Sequence, residues 1–214
     1  MVKKSILCLV VILMVGLLAA GCADEAEVTR MEDLPEEIEE EMVGEEEVEG
    51  EPETEEDEPL HDNSRTNPAD LNETFVVEKD DLIVGKVTYE VELIQTVSGQ
   101  EAWEIVKEGN PLNEEPEEGK EYVLAKFRVK VLETEEDEPF NVNHAQFEAV
   151  SEGGVTYDDF ISVSGVEPDL RGDLYEGAEK NGYTYFIVDK DDNPVAALNR
   201  GRSGEIWFDL RAGD

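Results

Sequence analysis

Past position 22 the chain contains no cysteine; its only two are Cys8 and Cys22. Everything after residue 22 must therefore fold without a disulfide, and it has no thiol nucleophile and no thiolate metal site. Histidine is nearly as scarce, at His61 and His144 alone. Basic residues are few as well: 17 Lys and Arg stand against 56 Asp and Glu, a formal charge of −39. Such a surface repels phosphate, and no basic stripe exists, so a nucleic-acid partner is excluded. The same charge argues against docking onto anionic lipid. Between residues 23 and 72 there is no Phe, Tyr or Trp.

What is present begins at the N-terminus. Lys3 and Lys4 precede an uncharged apolar run over residues 5–20, which leads into Leu17-Leu18-Ala19-Ala20-Gly21-Cys22. A charged start, a short apolar stretch and small residues before a cleavage point describe an export signal. The run is shorter than the roughly 20 residues a spanning helix needs, and acids rather than a basic stop follow it. This stretch resembles the lipobox of bacterial lipoproteins, with Ala19 where Leu is commoner. It makes residues 1–21 a signal peptide and Cys22 the lipid-attachment residue, so the expected place is the outer, extracytoplasmic face of the cell membrane. Two acyl chains on one diacylglycerol suffice for stable anchoring. An ordinary secretory signal with a chance cysteine is the competing reading.

Residues 23–72 carry 22 acids against Arg30 and Arg65, a net of −20. That composition buries too little apolar surface to offset chain entropy, so residues 22–72 are expected to form a lipid-bearing, disordered acidic linker. Met31, Leu34, Ile38 and Met42 fall at helical spacing, but facing carboxylates oppose a stable helix. The expected role is a tether holding a domain clear of the membrane.

Residues 73–214 are long enough for one domain with its own core. Val87, Tyr89, Val91, Leu93 and Val97 alternate with polar residues, as do Val123, Ala125, Phe127, Val129 and Val131 with Lys126, Arg128 and Lys130. Period two of this kind predicts strands with one buried face. Residues 147–150 and 155–157 flank the turn Ser151-Glu152-Gly153-Gly154 and read as a hairpin. Residues 183–188 read as a central strand covered on both faces, 195–198 and 206–210 as the last two strands, and 75–77 with 82–84 as an edge. Only residues 100–107 look helical, with Ala102, Ile105 and Val106 on one face and Gly109-Asn110-Pro111 as a stop. Seven or so short strands with one helix predict an all-β antiparallel sandwich, and a small open barrel is the alternative.

Ala102-Trp103, Asn110-Pro111-Leu112-Asn113 and Pro116-Glu117-Glu118-Gly119-Lys120-Glu121-Tyr122 occur in that order. Phe147, Tyr157, Leu174-Tyr175-Glu176-Gly177, Gly182-Tyr183 with Phe186, and Trp207-Phe208-Asp209-Leu210 follow. This series is similar to the telokin-like domain of unknown function found in lipoproteins of Gram-positive bacteria, over about residues 75–211. The resemblance implies an immunoglobulin-like β-sandwich displayed outside the cell. Glu176 departs from it, since the family often has Pro before that glycine. No catalytic residue comes with the resemblance.

The remaining candidates for chemistry are sparse. His144 is the one histidine available to a folded domain as a general base, and it reads as a half-exposed strand residue. No serine sits in a Gly-x-Ser-x-Gly elbow and no His/Cys cluster has zinc spacing. Asp189-Lys190-Asp191-Asp192-Asn193 begins like a calcium loop but meets Pro194 where Gly is needed and Arg200 where a bidentate Glu is needed, so it reads as a turn. Asp158-Asp159 and the acids of 133–138 read as solvated loop charge. Arg171-Gly172-Asp173 spells an adhesion tripeptide but reads as a tight turn at Gly172. Trp103, Tyr157, Tyr175, Tyr183, Tyr185 and Trp207 read as packing residues rather than a ligand face. No catalytic, cofactor or metal residue is predicted, and Cys22 is the sole site. The expected function is a non-enzymatic binding or interaction module, its partner a protein or the cell wall. The alternatives are a structural or protective envelope protein and an accessory subunit of a transporter or cell-wall enzyme.

Overall fold

The computed structural model describes residues 26–33, 62–157 and 162–213. Among these residues ten strands and one α-helix follow in order. They are β1 (Ala26–Arg30), β2 (Thr74–Asp81), β3 (Gly85–Ser98), α1 (Gly99–Gly109), β4 (Lys120–Thr134) and β5 (Phe140–Val142). After these come β6 (Phe147–Val150), β7 (Gly172–Leu174), β8 (Glu179–Asp189), β9 (Val195–Leu198) and β10 (Ile206–Asp209). One sheet runs β1-β2-β3-β4-β8, the second β10-β9-β6, and β5 pairs with β7. Every strand pairing is antiparallel. The fold is an all-β sandwich with one helix, as the alternation predicts.

Its core lies where the alternating residues point. Phe127 of β4 packs on Phe147 of β6 with ring centroids 4.5 Å apart, and Phe208 of β10 meets Phe127 and Phe75 edge-on at 5.1 and 6.0 Å. Ile206, Phe208 and Leu210 join this core while Trp207 packs outward with Val150, Val195 and Ala197, again as the pattern predicts.

Four expectations need correction. Within the segment expected to be a disordered linker, residues 26–33 and 62–72 are ordered. β1 pairs with β2 from Ala26 opposite Lys79 to Arg30 opposite Phe75, and Val28 is buried in the core. Arg30 lies over the Phe75 ring at 5.5 Å and pairs with Glu73 at 3.1 Å. Further on, Asn63 exchanges two 2.8 Å hydrogen bonds with the Trp207 backbone, and fully buried Ala69 bridges to Phe208, so this stretch covers the free edge of β10. Because β1 precedes the acidic run, residues 34–61 cannot serve as a tether between Cys22 and the sheet. They join Asp33 to Asp62, and Arg30 sits 3.6 Å from Asp62. Residues 34–61, including His61, lie outside the described residues, as does most of the helical spacing that starts at Met31.

The strand predicted at residues 183–188 is covered on both faces but is not central. β8 hydrogen-bonds to β4 on one side only, and its other edge receives residues 168–170. Tyr183 N–H donates to the Pro168 carbonyl at 2.8 Å and Leu170 N–H to the Tyr183 carbonyl at 3.2 Å. Gly182 permits this, because a Cβ there would strike the Leu170 backbone.

Val97 does not share a face with Val87 and Leu93. The register of β3 against β4 slips between Leu93 and Gln95, leaving Ile94 as a bulged extra residue. One extra residue reverses which side of the sheet later residues face, so Val97 joins Val106, Tyr122 and Leu124 beneath α1. Residues 82–84, finally, are the turn between β2 and β3 rather than an edge strand.

The 147–157 hairpin closes as predicted, with Gly154 N–H on the Ser151 carbonyl and Tyr157 N–H on the Ala149 carbonyl. Its return arm is a single bridge at Thr156, and the main partner of β6 is β9.

Candidate functional site

His144 opens a short 3-10 turn, His144–Gln146, whose N-terminal Asn143 accepts a bond from Ala145 N–H at 2.9 Å while Gln146 Oε1 accepts from Asn143 N–H. This capped turn aims the imidazole at β8. Nδ1 lies 3.0 Å from Thr184 Oγ1, Nε2 lies 3.2 Å from Asp169 Oδ1, and the ring packs on Tyr185 at 4.8 Å. Burial lowers the His144 pKa below its ordinary 6.5, and the Arg171 charge adds to this against the pull of Asp169. Arg171 binds Asp169 through Nη2 at 2.6 Å and Nε at 3.0 Å. Burial works to raise the Asp169 pKa, but the Arg171 hydrogen bonds and the neighbouring charges leave it lowered.

A hydroxyl, an imidazole and a carboxylate in a row is the layout of nucleophile activation. With Asp169 accepting from Nε2–H, a neutral ring accepts at Nδ1 from the Thr184 hydroxyl, the same string of bonds an activated nucleophile uses, so it is burial that keeps this hydroxyl from a substrate. Thr184 is 1% exposed. The string ties three chain segments together: the 144–146 turn, β8 and residues 168–171. Sequence reading leaves His144 without partners, because Asp169 and Thr184 are 25 and 40 residues away.

The other sequence candidates are also engaged. Asp192 accepts from the Tyr157 hydroxyl at 2.6 Å and from Glu152 N–H at 3.2 Å, and burial together with that carboxylate pushes the Tyr157 phenol up to about 12. Among the described residues no group of three His, Cys, Asp or Glu is placed to hold a metal ion. Gly172 starts strand β7 and makes no tight turn, which corrects the reading of Arg171-Gly172-Asp173; Asp173 accepts from Asn141 Nδ2 at 2.8 Å. Glu135 of the acidic run accepts from Lys86 N–H at 3.0 Å. Asp158-Asp159 and Cys22 lie outside the described residues.

Many residues that carry the sequence resemblance hold α1 to the sheet. Tyr122 stacks on Trp103 with rings 7° from parallel at 5.9 Å and donates from its hydroxyl to the Glu114 carbonyl. Asn113 is buried and latches two segments, donating to the carbonyls of Val106 at 2.7 Å and Ser164 at 2.9 Å and accepting from Ser164 N–H at 3.1 Å.

Of the aromatic candidates, Tyr175 alone is strongly exposed, at 54%, on the turn between β7 and β8. Sequence reading missed a second exposed feature. Leu82 is fully exposed and Ile83 is 65% exposed, at the β2–β3 turn. The signal for it was available, as Asp80-Asp81 ahead of these residues and Gly85 behind them supply turn chemistry.

A family model described as "Domain of unknown function (DUF4352)" matches residues 79–207. Among proteins of curated function none matches this sequence. Two solved structures resemble part of the chain, each over 63% of it. One is a candidate lipoprotein of Bacillus subtilis, ycdA, at 13% identity and a TM-score of 0.42; the alignment spans 38% of that protein's length. The other is MPT63, a secreted protein from Mycobacterium tuberculosis, at 17% identity and a TM-score of 0.41, aligned over 91% of its length.

Proposed function

The chain belongs to the DUF4352 family, and from that premise we propose that it is a lipid-anchored, extracytoplasmic β-sandwich of the telokin-like, immunoglobulin-like kind, acting as a non-enzymatic binding module. The observation that carries this reading is Cys22, set at the end of the apolar run 5–20 and four residues ahead of Ala26 in β1. A cleaved signal ending there leaves the cysteine as the first residue and the sole thiol of the mature chain. A non-enzymatic role is supported by the burial of Thr184, which keeps the Thr184–His144–Asp169 string from meeting a substrate. Exposed Tyr175 at a loop favours a protein or cell-wall partner over a purely protective coat, since aromatic side chains dominate binding surfaces.

Metabolic labelling with a fatty acid tests the anchor. Wild-type protein takes up label and Cys22→Ala abolishes it; label retained by that variant refutes the reading. For the partner, the soluble chain from residue 23, which keeps β1, is used as bait against envelope extract. Specific retention lost in Tyr175→Ala supports binding. Retention no greater than a charge-matched control favours the structural or protective alternative.

A further inference from the structure

We propose that the β2–β3 turn, through Leu82 and Ile83, rests on the bilayer that holds the lipid of Cys22; the inference depends on the lipid anchor proposed above. Four residues separate Cys22 from Ala26, a reach of at most about 14 Å. Ala26 is paired with Lys79 of β2, and two residues further along β2 the β2–β3 ladder closes with Asp81 opposite Gly85. The anchor and the Leu82–Ile83 turn therefore leave the sheet at one end. At the other end β1 finishes at Arg30, 3.6 Å from Asp62.

The turn is built to display its two aliphatic side chains. Asp81 Oδ1 accepts from Ile83 N–H at 2.9 Å and Val84 N–H at 3.3 Å, Val84 is fully buried, and its carbonyl accepts from Glu136 N–H. Leu82 and Ile83 are thus held outward on a fixed loop, at a position where turns ordinarily carry polar residues. A lipid interface accepts such side chains.

Charge sets the terms of contact. Asp80, Asp81, Glu135, Glu136, Asp137 and Glu138 crowd this end, with Lys79 and Lys86 among them. Carboxylates are repelled by anionic headgroups, so the turn has no reason to bind a membrane from free solution. The short leash removes that requirement by holding the turn at high effective concentration over the surface. Contact then follows tethering, and it strengthens as salt shortens the screening length.

The experiment uses the full lipidated chain, in which a cysteine introduced by Ile83→Cys is the one free thiol once Cys22 is acylated. An environment-sensitive fluorophore is attached there, or at Leu112→Cys near the opposite end as control. The protein is reconstituted into phosphatidylglycerol–phosphatidylethanolamine vesicles, with or without doxyl-labelled lipid. At position 83 the emission moves to the blue and doxyl lipid quenches it about twofold or more, while position 112 does not respond. Co-flotation with vesicles is scored in parallel. A protein that floats with position 83 as wet as 112, or with both quenched alike, overturns the orientation and leaves the anchor standing. One that does not float overturns both. The unacylated chain beginning at residue 23 and carrying the same probe stays in solution; binding by that chain would show that the leash is not what brings the turn to the surface.

Discussion

Beneath α1 the outer face of the five-stranded sheet is dry, while toward the β2–β3 turn the same face is ionic. In the first half Ala102 and Val106 of α1 lie on Val97, Tyr122 and Leu124, and Val163 and Val166 close the side. In the second half Arg128 reaches Glu90 at 2.7 Å and Glu92 at 2.6 Å across the strands, with Thr74 at 3.4 Å and Glu179 at 3.8 Å. The bulge at Ile94 divides the two. An apolar face requires a covering helix, and a helix requires a latch such as Asn113 to keep it in place. A charged face needs no cover. It can carry the protein's excess of acid where a cation is fixed among the carboxylates, and it leaves the Leu82–Ile83 end of the sheet without a bulky cap. Covered half and open half thus solve one problem, an exposed sheet face, by opposite means.

Four substitutions probe this contrast in order of expected effect. Tyr122→Ala removes the floor of the dry half, both the ring stacked on Trp103 and the bond to Glu114. It should cost ~3–5 kcal/mol, read as a lower urea midpoint with an unchanged slope. Arg128→Met leaves Glu90 and Glu92 facing each other with Glu90 only 8% exposed. Partial solvent screening holds the loss to ~2–3 kcal/mol, and adding Glu90→Leu and Glu92→Leu should recover most of it. If Arg128→Met alone is neutral, the ionic half contributes nothing and the contrast fails. Asn113→Ala strips the latch and leaves backbone groups of Val106 and Ser164 unpaired, for ~1–2 kcal/mol. The smallest effect concerns pH. Burial favours the neutral His144 ring, so its contribution is complete above the unfolded value of 6.5 and declines as pH falls below it. The difference in urea midpoint between wild type and His144→Gln should therefore narrow from pH 7.5 to 5.5; a constant difference would mean the imidazole is not held neutral.

Much of the sandwich is legible in the residues, because β3 and β4 alternate buried and polar positions over much of their length and period two reports that directly. The helix is legible from its stop at Gly109-Asn110-Pro111. What eludes the sequence is geometry without periodicity. β1 contributes one buried apolar residue, Val28, in an acidic stretch, and it holds through backbone pairing and the contacts of Arg30, neither of which leaves a local pattern. The bulge at Ile94 shifts Val97 to the other face without any Gly or Pro to mark it. β8 reads as central since both its faces are covered, but its free edge is closed by residues 168–170, far away in sequence until the chain folds. The candidate site divides in the same way. Cys22 is read from a contiguous motif, whereas the partners of His144 and the display of Leu82 and Ile83 exist only in three dimensions.

The placement of β1 supports the short leash and the orientation of the sandwich. Nuclear magnetic resonance on the soluble chain from residue 23 tests it most directly. Cross-strand Overhauser contacts between Val28 and Val77 and between Arg30 and Phe75, with exchange-protected amides in β1, are the predicted result. Random-coil shifts and unprotected amides over residues 26–30 would contradict it and restore a long acidic tether between the lipid and the domain.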